Sequence, residues 1–255
     1  VEEARRPIFD PQIYPAASTY VVGAQTLTAR EVIDGLSDSI SPERMARMAA
    51  VAADRTRCIV PVLEGLYDRG NVSAVVRSAE GLGYQNVHVI DSSPHFMNAR
   101  RVSQGAEKWV ELHEWQETEP CIAQLRAGGY RIAVAHLDAN AVPLREVDPT
   151  IPTALVFGNE HAGPSEALLA VADMCIVAPM SGFTQSFNIS VAAAIMLHDL
   201  RERRIALRGQ HGDLSAAEQE ELIAAYCLRS SPKAEVWLTR GAGLLDPALG
   251  LDAGE

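Results

Sequence analysis

Phe157-Gly158-Asn159-Glu160-His161-Ala162-Gly163 and Pro179-Met180-Ser181-Gly182-Phe183-Thr184-Gln185-Ser186-Phe187-Asn188-Ile189-Ser190 decide how this chain reads. Each follows an apolar run of strand type and opens a run of helix type. Turns of that kind aim backbone N–H and C=O groups at a small polar ligand. In the first, two glycines bracket Glu160 and permit close backbone approach. Alone, it also reads as a Gly-rich strand-to-helix turn with an exposed acid. In the second, a long loop with Gly182, Gln185, Ser186 and Asn188 precedes a helix that Asn188 and Ser190 could cap. Upstream, Asn71-Val72-Ser73-Ala74-Val75-Val76-Arg77 starts a helix after a strand and the loop at 64–70. Locally this is an Asn N-cap and an Arg in a surface ion pair. Taken with the other two, it completes a three-part signature. Arg77 then sits one turn from the helix start, near the strand ends, where a guanidinium can hold phosphate.

Outward from these stretches the chain alternates. Strand-like runs lie at 58–63, 87–90, 109–112, 131–135, 154–157 and 175–178, with helical patterns between them at 73–82, 98–104, 120–127 and 165–171. This predicts an α/β fold, a mostly parallel sheet with helices on both faces. A closing helix over 188–207 ends in Arg201, Arg203, Arg204 and Arg208, cations suited to a helix C-terminus. Gly81-Leu82-Gly83 falls at a helix end without GxGxxG spacing, so it reads as a cap and excludes a dinucleotide fingerprint. Residues 1–40 read as irregular apart from a short helix at 28–36. Ser41-Pro42-Glu43-Arg44 then opens a helix to about Asp54, with Arg44, Arg47, Arg55 and Arg57 on its polar side. A Glu-rich amphipathic helix is expected at 214–228, and disorder over 241–255. The predicted organisation is an N-terminal extension with a flanking helix at 1–56, a central domain at 57–208 and a C-terminal extension at 209–255.

The 255 residues are 47% apolar and 22% charged, as in a soluble globular protein, and no apolar run is long enough to cross a bilayer. Cys58, Cys121, Cys175 and Cys227 lack CxxC spacing, which points to plain thiols in a reducing compartment. The seven His show no ligand spacing, so no metal is expected. The net charge of −11 is concentrated in the ends. Residues 1–43 hold seven acids and three bases, and 212–255 hold eight and three. The middle is nearly neutral, which permits an RNA ligand without implying one. Twenty of the 22 basic residues are Arg, the better bidentate partner for phosphate. The chain begins at Val, consistent with trimming or with removal of a targeting segment.

In order and spacing, the three motifs resemble the SpoU branch of the SPOUT superfamily, the AdoMet-dependent RNA ribose methyltransferases. The likeness runs over roughly 57–204 and is nearest to the tRNA guanosine-2′-O-methyltransferase group. It includes Gly105-Ala106-Glu107-Lys108-Trp109, Pro152-Thr153-Ala154-Leu155-Val156 and Asn188-Ile189-Ser190-Val191-Ala192-Ala193-Ala194. The resemblance implies a SPOUT fold with a deep C-terminal trefoil knot, a homodimer, and S-adenosyl-L-methionine as methyl donor without a metal. It implies a donor pocket at Ala135, Gly158, Ala178, Met180 and Phe187. It also implies a catalytic and structural cluster of Asn71, Arg77, Glu160, Ser186 and Asn188. In it, Arg77 would activate a ribose hydroxyl with the help of an RNA phosphate, Ser186 and Asn188 would position hydroxyl and Arg, and Glu160 would hold loop geometry. The implied substrate is tRNA, most often a D-loop guanosine, with rRNA as the alternative and a silent RNA- or ribosome-binding protein as the third reading. The bacterial pattern His/Lys/Pro before the first-motif Asn is replaced by Tyr67-Asp68-Arg69-Gly70, which bears on RNA docking. Glu64-Gly65-Leu66 and His211-Gly212-Asp213-Leu214 are closer to plant and algal relatives, and suggest a chloroplast or mitochondrial protein; a bacterial cytoplasm is the alternative.

Overall fold

Ile59–Glu64 and Thr153–Phe157 are buried at every position, and only a sheet covered on both faces accommodates such runs. The computed structural model describes residues 15–22, 25–66, 68–91 and 105–241. In chain order the elements are β1 (Thr19–Val22), β2 (Gln25–Thr28), α1 (Ala29–Leu36), α2 (Pro42–Ala53), β3 (Ile59–Glu64), α3 (Arg69–Gly81), β4 (Asn86–Ile90), β5 (Glu111–Trp115), α4 (Thr118–Ala127), β6 (Arg131–Ala135), β7 (Val142–Pro143), β8 (Thr153–Phe157), α5 (Glu166–Val171), β9 (Met174–Val177), α6 (Ile189–Arg208), α7 (Ala216–Ser230) and α8 (Ala234–Gly241). They fall into two units, one within Val1–Ala53 and Leu214–Glu255, the other within Asp54–Asp213.

The second unit holds a seven-stranded sheet in the order β5-β4-β3-β8-β6-β9-β7, with every pairing parallel. Strand residues alternate between its faces. Ile59, Leu63, Leu155 and Phe157 pack with Val72, Val75 and Val76 of α3 and with Ala193, Met196 and Leu197 of α6. Val60, Val62, Ala154 and Val156 pack on the other face with Cys121, Ile122 and Leu125 of α4 and Leu168 of α5. In the first unit, α1 and α2 pack on α7, α8 packs on α1, and β1 and β2 pair as antiparallel strands. No helix among the described residues is long and apolar enough to cross a membrane.

Several expectations shift. Residues 1–40 are expected to be irregular outside the helix, yet Thr19–Val22 and Gln25–Thr28 pair as the antiparallel strands β1 and β2. Tyr20 of β1 is buried and its hydroxyl donates to the Pro15 carbonyl at 3.1 Å. The third strand starts at Glu111 instead of Trp109, because Ala106–Lys108 makes a 3-10 turn and Trp109 N–H donates to Ala106. The helix expected at 98–104 and most of 241–255 lie outside the described residues, although Gly241 closes α8. Arg55 is not on a polar helix face. It is buried, donating to the Glu80 carbonyl at 2.7 Å and its carboxylate at 2.8 Å. Gly83, with φ +86°, ends α3 in the left-handed region that favours glycine, as the cap reading requires.

The basic end of α6 is spent on structure. Arg203 pairs with Asp199 and donates to the carbonyls of Leu144 and Val147. Arg204 is fully buried; it donates to Asp213 at 2.8 Å and to the Pro149 carbonyl at 2.8 Å. Asp213 also accepts from the Thr56 hydroxyl at 2.8 Å, so one carboxylate ties the chain before β3 to the chain after α6. Beside it, the His211 ring is buried edge-on against Tyr84, centroids 5.1 Å apart.

Replacing Arg204 with Ala removes the buried cation from Asp213 and the donor from the Pro149 carbonyl, and is expected to cost about 3 kcal/mol in urea unfolding. Burial pushes His211 down to about 4, and burial followed by the neighbouring His113 pushes His88 down to about 3. Unfolded, each titrates near about 6.5. Below that value the unfolded chain binds protons that the folded chain does not. Their stability contribution is therefore complete above about pH 6.5 and lost progressively as pH falls to the folded values. Urea midpoints should drop between pH 7 and 5, less steeply in His211→Leu.

Candidate active site

The three motifs meet at the C-terminal ends of the central strands. Leu63, Phe157 and Ala135 lie side by side in the β3–β8–β6 register, and Ala135 pairs with Ile176 of β9. Ala135, Gly158 and Ala178 therefore end three neighbouring parallel strands. Gly158 has no alternative residue type: a Cβ there would overlap the Pro164 nitrogen. Met180 is half-buried and Phe187 exposed in the long loop before α6.

Asn71 is not a helix cap. Asp68 caps α3, its carboxylate accepting from Gly70 N–H at 2.7 Å, so the helix begins at Arg69 and not at Ser73. Asn71 lies inside the first turn and its side chain is released for longer-range contacts. Its Nδ2 donates to Glu160 Oε1 at 2.8 Å, and its Oδ1 accepts from Asn188 Nδ2 at 3.2 Å. Asn188 caps α6, its Oδ1 accepting from Ser190 N–H at 2.9 Å and Val191 N–H at 3.4 Å. The polarity of the chain follows from its end. With Asn188 Oδ1 committed to the helix N-terminus, only its amide group can face Asn71. Asn71 then turns its own amide group toward the Glu160 carboxylate. One side chain from each motif is thereby fixed in a directed sequence.

The early helix start also moves Arg77. It is exposed, two turns into α3 where one was expected. It lies about 120° around the helix and ~9 Å along it from Asn71. Ser186 is exposed in the loop two residues before Asn188. The structure thus joins Asn71, Glu160 and Asn188, with Ser186 on the exposed loop and Arg77 exposed on α3.

Two residues outside the candidate set hold the second-motif loop. Asn159 donates from Nδ2 to the Gly65 carbonyl at 2.6 Å and accepts at Oδ1 from the N–H groups of His161 (2.8 Å) and Ala162 (2.9 Å). Its backbone pairs with Gly163, whose φ is +74°. Glu64, at the end of β3, receives the far end of the loop at Ser165. Asn in a Gly-rich turn was the visible signal for the first. Nothing local marks Glu64, since its partners are 54 and 101 residues away.

The profile of the SpoU rRNA methylase family matches residues 58–198. The chain is 32% identical over 188 residues to tRNA (guanosine(18)-2′-O)-methyltransferase of Escherichia coli K12, covering 72% of this chain and 82% of that one. It is 36% identical over 194 residues to the Borreliella burgdorferi protein of the same name, covering 75% and 87%. Among solved structures, the A. aeolicus TrmH/SpoU tRNA modifying enzyme superposes with a TM-score of 0.64 at 29% identity, covering 72% of this chain and 95% of that one. The SpoU methyltransferase AviRb from Streptomyces viridochromogenes, in complex with AdoMet, gives 0.52 at 25%, covering 60% and 62%.

Asn71→Asp would bring a second carboxylate to hydrogen-bonding distance of Glu160, and such a pair resists double ionisation. One carboxyl is then raised above its unfolded value. Its protonated form is stable at low pH, and stability is lost as pH rises through the raised value. The gap in urea midpoint between wild type and Asn71→Asp should therefore be wide at pH 7 and narrow toward pH 4.

Proposed function

The chain belongs to the SpoU methylase family, and from that premise we propose that it is an AdoMet-dependent RNA methyltransferase acting on the ribose 2′-hydroxyl of a tRNA guanosine. The observation that carries the proposal is the Asn188–Asn71–Glu160 chain, which locks one side chain of each motif at the strand ends. Relatives named for guanosine 18 of tRNA support a D-loop target.

The strand ends suit the methyl donor. Ala135, Gly158 and Ala178 end three adjacent strands and offer backbone groups to the donor, and Met180 and Phe187 would close over the bound molecule. Once bound, AdoMet supplies an electrophilic sulfonium methyl group. Arg77 holds an RNA phosphate so that the phosphate takes the proton from the attacking 2′-hydroxyl. The guanidinium is itself protonated at any working pH and is no base. Ser186 and Asn188 position the hydroxyl, and Asn71 with Glu160 fixes the loop that faces it. Holding nucleophile and methyl group together supplies much of the acceleration.

The proposal includes the trefoil knot within a methyltransferase domain at 57–208, with 1–56 and 209–255 as flanks. Exposed Arg44 and Arg47 on α2 are suited to RNA phosphates. A second copy of the chain completes the site. Val191 and Ile195, four residues apart on α6, and Phe187 just before the helix are exposed apolar side chains of the kind that pack between subunits. The plant-like segments support an organellar compartment, and the bacterial relatives support the cytoplasmic alternative. Action on rRNA is the runner-up, because the family description names rRNA.

Labelled AdoMet, incubated with separate tRNA and rRNA pools, tests this. Ribose label on a tRNA guanosine is expected, with kcat lowered by about 10²-fold or more in Arg77→Ala. AdoMet affinity should be unchanged in that variant. Label confined to rRNA would replace the tRNA assignment, and a protein that does not bind AdoMet would be the silent scaffold.

A further inference from the structure

Glu64 is a buried carboxylate that the chemistry above does not use. The residue is 6% exposed at the end of β3, between β4 and β8. Oε1 accepts from the hydroxyls of Thr118 at 2.7 Å and Ser165 at 2.8 Å, and Oε2 accepts from Ser165 N–H at 2.9 Å. All three donors are neutral. A carboxylate removed from water without a cationic partner is an inefficient way to stabilise a fold. What this one provides is geometry. Ser165 ends the second-motif loop and caps α5, and Thr118 begins α4. The other end of the loop is fastened to the next residue, through Asn159 Nδ2 on the Gly65 carbonyl. Two consecutive residues at the end of β3 therefore hold both ends of the loop. Glu160 lies between those fastenings and meets Asn71.

Glu64 also lines a cleft of about 590 Å³ with Glu117, Glu119 and Glu166. Four carboxylates around one cleft repel RNA phosphate, so Glu64 does not meet the substrate backbone. We propose that Glu64 is a positioning residue for methyl transfer, acting through the second-motif loop to fix the Glu160 carboxylate against Asn71. The kinetic part of this proposal rests on the methyltransferase function above; the loop-holding part does not.

A double-mutant cycle with tRNA as substrate tests it. Glu64→Ala should lower kcat by about tenfold or more, as misplacement of a supporting group does, with KM for tRNA unchanged. Glu64→Gln should recover most of the loss. Its carbonyl can accept from Ser165 N–H while its amide donates to the two hydroxyl oxygens. The Glu64→Ala/Glu160→Ala double variant should be no slower than Glu160→Ala, because both losses pass through one carboxylate. Multiplying effects, a wild-type kcat in Glu64→Ala, or a Gln variant as slow as Ala would each overturn the proposal. If Glu64→Ala does not fold, Thr118→Val and Ser165→Ala replace it in the cycle.

Hydrogen exchange of the amides from Asn159 to Ser165 requires no turnover. It should rise in Glu64→Ala and return in Glu64→Gln. Raised exchange in a protein whose wild type methylates no RNA would sink the proposed function and leave the positioning role standing. Unchanged exchange would sink the positioning role whatever the enzyme does.

Discussion

Leu63, Phe157 and Ala135 stand in register at the ends of three parallel strands, and the candidate site depends on that alignment. Parallel pairing sends each chain out of the sheet at the same edge, so loops distant in sequence become neighbours. Here the loop after β3 reaches Asn71, the loop after β8 reaches Glu160, and the loop after β9 reaches Asn188. Burial on both faces sets the register, because a one-residue slip would exchange the set facing α3 and α6 for the set facing α4 and α5.

Polar side chains fasten this frame at both edges. At the C-terminal edge, the amides of Asn71 and Asn188 and the carboxylate of Glu64 hold the loops in place. At the opposite edge, Asp213 gathers Arg204 and Thr56 and binds the end of the domain to its beginning. The charge pattern of the chain reads differently in that light. Arg55, Arg203 and Arg204, which look like candidates for phosphate, are committed to carboxylates and carbonyls. Arg44, Arg47 and Arg77 are exposed, and Arg44 donates to the Ser230 hydroxyl.

Much of this was legible in the chain. Apolar runs separated by helical patterns specify a parallel sheet covered on both faces, and Ser215, Ser165 and Thr28 each lie at a helix start, as residues with short hydroxyl side chains should. The paired strands β1 and β2 have no clear sequence signal, because four-residue strands carry too little alternation to stand out. The start of α3 is ambiguous in the sequence because Asp68 and Asn71 are both good caps, and local propensity does not choose between them. That choice matters, since it frees Asn71 and puts Arg77 two turns into the helix.

The sequence alone determined the fold class, the apolar runs that form the central strands, and the three loops where chemistry could reside. Periodicity and turn composition are local properties, and the three motifs keep their spacing in any conformation. Only the tertiary structure decided which atoms meet. Asn71 could cap or bridge, Arg204 could bind phosphate or be buried, and Glu64 could face water or anchor a loop. Each outcome depends on groups 9 to 148 residues away, brought close by the sheet, and on the cost of leaving a buried donor or acceptor without a partner.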